Sequence, residues 1–226
     1  PGDCRGASLA LVLVKAWQTE HAARQLAECL AKDGLALTLQ NGLGNYETLC
    51  RRLGKPRVAL GVTTTGATLL GPGLARLGGE GVVSIEKHPK LAPLEKLLQE
   101  AGFKVQVVND TRALAWGKLV INAAINPLTA LLRVPNGKLL ERPSAREMMK
   151  ALASETAQVA QAEKVDLPFP DPVAAAEEVL RALLVEDRPR VDLLRDAVGD
   201  PRREVRLDRA GDDVDARALR REDDVH

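Results

Sequence analysis

Apolar residues run almost unbroken through LALVLV at residues 9–14, a length that suits a strand covered on both faces of a parallel sheet. The period then changes. Ala22, Ala23, Leu26, Ala27 and Leu30 give one apolar side to a helix predicted over residues 19–32, which Gly34 is placed to end by taking positive φ. LALTLQ at 35–40 reads as a second buried strand, NGLGN at 41–45 as a turn, residues 46–53 as a short helix and VALGVTT at 58–64 as a third strand. Glycines crowd residues 66–81 and predict hairpin or loop excursions. VVSIE, a helix over 91–101 and KVQVV at 104–108 then resume the alternation, which is the grammar of an α/β fold.

From Thr111 onward long helical periods take over, broken at Asn126-Pro127 and again at residues 134–137. The change predicts two domains, residues 1–109 and 110–226, the second mostly helical. After about residue 185 the chain is dense in Arg and Asp and poor in large apolar side chains, so it has little with which to offset its ordering entropy. Short mixed-charge helices fit residues 191–198 around Leu193-Leu194, and a mobile tail is expected beyond Ala210.

Composition narrows the function classes. With 32 basic and 31 acidic side chains and only 2% aromatic residues, no general attraction to nucleic acid and no base-stacking platform is expected. Cys4, Cys29 and Cys50 are an odd number at wide spacing, against both a disulfide framework and a structural zinc site. No stretch approaches the roughly 20 apolar residues that cross a bilayer. A cytoplasmic protein with neither nucleic-acid nor membrane partners is the expectation.

Candidate chemistry gathers at three places. Lys118, Asn122 and Asn126 recur every four residues in WGKLVINAAIN, so one side of a helix carries an ammonium and two carboxamides while Leu119, Val120, Ile121, Ala124 and Ile125 anchor the others. An ammonium there can protonate or stabilise a developing oxyanion, and carboxamides can hold hydroxyl and carboxylate oxygens. A solvated helix face with a cap at Asn126 fits the same spacing. Asn41 stands in a glycine-rich turn directly after a strand, where open sheets collect ligands, although Asn-Gly also simply makes turns. Lys15 follows the first strand and suits a phosphate or carboxylate, or plain solvation. His21 and His88 form no ligand set with a third partner, Glu155 and Glu163 suit a solvated helix face, and there is no GxxxxGK[ST] loop.

Taken together, VLVKAWQT at 12–19, LQNGLGN at 39–45, GVTTTGA at 61–67 and above all WGKLVINAAINPLTALLRVPNGKLL at 116–140 resemble the 2-dehydropantoate 2-reductase, or ketopantoate reductase, family over about residues 9–184. The resemblance implies a Rossmann-type NADP-binding domain, a helical substrate domain, and NADPH-dependent reduction of ketopantoate to (R)-pantoate in the pathway to pantothenate and coenzyme A. It implies that Lys118 is the catalytic proton donor, that Asn122, Asn126 and Glu204 hold substrate, and that Lys15 and Asn41 face the cofactor.

Two departures follow. PGDCRGA stands where the family carries a strand and a GxGxxG-type loop, which implies an incomplete Rossmann-type domain, truncated at the N-terminus, with a weak pyrophosphate grip. In the tail, Asp192 occupies the place of the usual substrate-binding serine and Arg206 that of a later aspartate. The expected partner is a small 2-oxo acid, with a homodimer left open. An impaired ketopantoate reductase is the leading reading, beside a non-catalytic remnant acting through protein association and a reductase of another small 2-oxo acid.

Overall fold

The computed structural model describes residues 4–78, 81–186 and 205–206. They fall into two compact units, one drawn from Pro1–Thr64 and Gly81–Arg188, the other from Thr65–Glu80 and Pro189–His226. In the second, β4 (Ala67–Gly71) and β5 (Leu74–Leu77) form an antiparallel hairpin, and β8 (Val205–Arg206) pairs antiparallel with β5.

The first unit contains a five-stranded sheet and three long helices. In chain order its elements are β1 (Ala7–Val12), α1 (Thr19–Cys29), β2 (Leu30–Thr38), α2 (Asn45–Leu53), β3 (Val58–Thr63), β6 (Val82–Glu86), α3 (Ala92–Glu100), β7 (Lys104–Val108), α4 (Thr111–Leu132), α5 (Pro143–Ala162) and α6 (Pro172–Glu186). The sheet order is β1-β2-β3-β6-β7, parallel at every pairing except β3 with β6.

That exception falls at the glycine-rich residues 66–81, where the sequence predicts hairpin or loop excursions. A parallel return needs a crossover of a dozen or more residues, usually a helix, and the segment after β3 forms a hairpin instead. The chain therefore re-enters antiparallel, with the Thr64 amide donating to the Val82 carbonyl at 2.9 Å. Between β6 and β7 the helix α3 is present and the pairing is parallel again.

Side chains alternate across β2, so its buried residues serve both faces of the sheet. Ala36 joins Val12, Ala23, Leu49 and Val58 on the face covered by α1 and α2, while Leu35 and Leu37 join Ala59, Ile85, Leu91 and Leu94 on the face covered by α3. The helical part has its own core of Val120, Ile125, Leu128, Leu139, Met149 and Leu180 from α4, α5, α6 and the turn before α5.

Two local expectations change. Gly34 does not end α1 with positive φ: it lies inside β2, where an added Cβ would meet the Ala7 carbonyl oxygen at 2.8 Å and Leu30 Cγ at 2.7 Å. The glycine is required by close approach of the neighbouring strand rather than by backbone hand. Pro127 does not interrupt α4, which continues to Leu132 and ends at Arg133 with φ +52°. An internal proline costs about 3 kcal/mol, and burial of the adjacent Ile125 and Leu128 in the helical core offsets it.

Candidate active site

Because β1, β2 and β3 run parallel, their carboxyl ends point to one edge of the sheet. Lys15 follows β1, Asn41 follows β2, and Thr63 closes β3, so three loop starts share that edge. Ligands of open α/β sheets collect there. The helix α4 packs against β3 and β6 and delivers Lys118 to the same edge.

Lys118 is held from both ends of its environment. Asp110 caps α4 by accepting from the Ala113 amide at 2.8 Å, Trp116 is buried against Ala160 and Val165, and Gly117 leaves no room for a Cβ against Pro168. Half-buried, Lys118 extends its Nζ to donate to the main-chain carbonyl of Thr63. Burial lowers its pKa, since desolvation disfavours the charged ammonium.

Asn122 is half-buried one turn along α4, and its side-chain amide has no hydrogen-bond partner among the described residues. Asn126 lies a further turn away and is exposed, about 12 Å along the axis from Lys118 at helical rise. Glu204 and Asp192 lie outside the described residues.

Lys15 is exposed; its amide donates to Gln18 Oε1 at 3.1 Å, opening a single 3₁₀ turn at Ala16–Gln18 that leaves Trp17 81% exposed. Asn41 is exposed, and its carbonyl accepts from Asn45 Nδ2 at 3.1 Å. Gly42 and Gly44 adopt φ +83° and +87°, the left-handed region that only glycine enters cheaply. A Cβ on either would meet nothing within 4 Å, so these glycines turn the backbone beside open space.

The sequence reading did not pick out the polar residues beneath these loops. Gln40 Nε2 donates to the Val14 carbonyl at 2.6 Å and to Thr19 Oγ1 at 2.9 Å, and Gln40 Oε1 accepts from Thr38 Oγ1 at 3.0 Å. Thr19 Oγ1 in turn donates to Asn45 Oδ1 at 2.9 Å. Gln40 stood within the quoted LQNGLGN segment, but the sequence says nothing of partners more than 20 residues away. A cleft of about 230 Å³ opens over this network, with Gly42, Gly44, Tyr46, Arg112, Trp116 and Glu163 among its lining residues. Arg112 Nη2 reaches the Glu163 carboxylate at 3.5 Å, and burial pushes the Tyr46 phenol well up, so it stays protonated at neutral pH.

Among the described residues no group of three or more His, Cys, Asp or Glu is arranged to hold a metal ion, and no helix is long and apolar enough to cross a membrane.

An open, mostly parallel sheet bearing polar loops at one edge, followed by helices that present a half-buried lysine to that edge, defines an α/β protein with a Rossmann-like sheet and a helical carboxyl-terminal region. The chain matches the family model for ketopantoate reductase PanE/ApbA over residues 3–90 and that family's C-terminal model over residues 110–204. It is 39% identical over 158 residues to a 2-dehydropantoate 2-reductase of Archaeoglobus fulgidus, covering 68% of this chain and 52% of that protein. Among solved structures, a PanE/ApbA family ketopantoate reductase from Ralstonia eutropha JMP134 superposes with a TM-score of 0.73 at 35% identity, covering 80% of this chain and 60% of the other. A D-mandelate dehydrogenase with bound NADH and anilino(oxo)acetate gives a TM-score of 0.69 at 27% identity over 77% of this chain and 58% of its own. The chain belongs to the ketopantoate reductase family. It spans between half and two thirds of the length of these three relatives.

Proposed function

We propose that this chain catalyses NADPH-dependent reduction of 2-dehydropantoate to (R)-pantoate, with Lys118 as the proton donor. The observation that carries the proposal is the delivery of a half-buried lysine from α4 to the carboxyl edge of the sheet, beside Thr63. Family membership supports the same reading, and the NADH in the mandelate dehydrogenase neighbour supports a nicotinamide as cofactor.

The residues present fit one end of that cofactor. Exposed Lys15 and Asn41 stand on adjacent strand-end loops, beside glycines whose surroundings are open, and are suited to hold the nicotinamide and its ribose and phosphate. The β1–α1 connection, LVKAWQ at residues 13–18, contains no glycine, so it offers no cluster of closely approaching amides to a pyrophosphate. When bound, the nicotinamide supplies the hydride to the substrate's carbonyl carbon.

Lys118 meets the other half of the reaction. Its ammonium lies in a partly desolvated position, where it stabilises negative charge developing on the carbonyl oxygen and then transfers a proton to it, giving the hydroxyl. Asn122, whose side-chain amide lacks a protein partner among the described residues, is the nearer carboxamide for a substrate oxygen; Asn126 and Glu204 complete the substrate contacts by resemblance. On this reading residues 1–109 form the NADP-binding part and 110–226 the substrate part, and the working protein is cytoplasmic. NADPH oxidation on addition of 2-dehydropantoate, set against other small 2-oxo acids and against NADH, tests substrate and cofactor together. Equal rates with every 2-oxo acid would contradict the substrate assignment.

A further inference from the structure

We propose that Gln40 is a positioning residue: its amide fastens the loop carrying Lys15 to the loop carrying Asn41, so that the two cofactor-facing side chains act as one site. The inference rests on the functional reading above, yet it stands on hydrogen bonds that can be tested apart from activity.

The donor and acceptor count leaves the amide one orientation. Gln40 Nε2 has two protons and two acceptors, the Val14 carbonyl at 2.6 Å and Thr19 Oγ1 at 2.9 Å, while Oε1 takes the Thr38 hydroxyl proton. Thr19, having accepted from Gln40, gives its own proton to Asn45 Oδ1, and Asn45 Nδ2 donates to the Asn41 carbonyl. Thr19 and Asn45 are 2% and 5% exposed, so water competes poorly for these bonds. The chain of bonds begins at Val14, the residue before Lys15, and ends on Asn41 itself. Neither loop is held there by a strand ladder, because β1 has ended at Val12 and β2 at Thr38. The apolar core beneath, from Val12 to Leu49, makes no use of Gln40.

Gln40→Glu and Gln40→Met separate positioning from packing. The glutamate keeps size and an acceptor for Thr38 but loses both donors and turns a carboxylate toward the Val14 carbonyl; the methionine keeps volume and loses every polar contact. In the 226-residue chain without ligands, both variants are expected to be cut by trypsin after Lys15 about tenfold faster than the parent, the effect of one lost hydrogen bond on local opening. Cleavage after Arg51, within α2, should stay unchanged. Thr19→Val, which removes one link of the chain at constant volume, should accelerate the same cut. In turnover the KM for NADPH should rise about tenfold while kcat stays near that of the parent, since Lys118 is untouched.

Unchanged cleavage after Lys15 in both Gln40 variants overturns the proposal. So does acceleration spread over all sites in all three variants, or a loss confined to kcat. Faster local cleavage in a chain that shows no reductase turnover would leave the fastening role intact and remove the functional reading instead.

Discussion

The ammonium of Lys118 donates to the main-chain carbonyl of Thr63, joining the third turn of α4 to the carboxyl end of β3 across 55 residues of sequence. Partial burial at that contact lowers the lysine's pKa. The protonated form is the proposed donor, and it is populated below the pKa. Turnover should therefore fall as pH rises, with a midpoint below the ordinary lysine range, and kcat measured against pH checks this. The folded chain also releases this proton before the unfolded one does, so the contribution of Lys118 to stability rises with pH between the two values. A kcat profile flat up to the ordinary lysine range would contradict the assignment.

The two asparagines of α4 should separate in their effects. Asn122 is half-buried one turn from Lys118, whereas Asn126 is exposed a turn further on. Asn122→Ala is expected to lower kcat/KM for 2-dehydropantoate about tenfold or more, as expected for a lost hydrogen bond to a charged or polar substrate group. Asn126→Ala should do less. Steady-state kinetics of the pair decide the order.

Gly117 controls where Lys118 stands. A Cβ at this position would lie 2.7 Å from Pro168 Cγ and 2.8 Å from its Cδ, so α4 must shift or the 168–169 turn must yield. Gly117→Ala should cost about 1–3 kcal/mol in denaturant unfolding, the usual range for overpacking. Turnover should fall alongside, because the shift moves the next residue.

Glu177 on α6 accepts from Arg146 Nε of α5 at 2.8 Å, tying the two helices, and from Arg181 Nη2 one turn along α6 at 2.6 Å. The hydrogen bond from Arg146 holds its carboxyl below the usual glutamate range. Its contribution to stability is present above the unfolded value and is lost as pH falls through the folded one. Glu177→Gln should lower Tm by a few degrees at neutral pH, and the gap should close in acid. A gap that persists at acid pH would mean packing, not charge, is what the substitution removes.

Hydrophobic periodicity made the order of strands and helices legible, because β2 and its neighbours bury both faces and α4 to α6 bury one stripe each. Direction and continuity were less so. The antiparallel entry of β6 depends on a missing crossover helix, and α4 runs through Pro127 because tertiary burial outweighs a local penalty. Gly34 showed only that a side chain is unwelcome, and the reason, the Ala7 carbonyl against it, lies in the neighbouring strand. The same limit applies to the candidate site. Lys118, Asn122 and Asn126 share a helix and so share a visible spacing, but the carbonyl that Lys118 meets and the partners of Gln40 are tertiary facts without a sequence signature.

The most direct measurement is NADPH oxidation with 2-dehydropantoate by the 226-residue chain and by Lys118→Ala, each first shown to be folded by its unfolding transition. The account predicts turnover in the parent and a drop of about 10²–10⁴-fold in kcat for the variant. Comparable turnover in parent and Lys118→Ala, or none in the folded parent at any NADPH concentration, would contradict it.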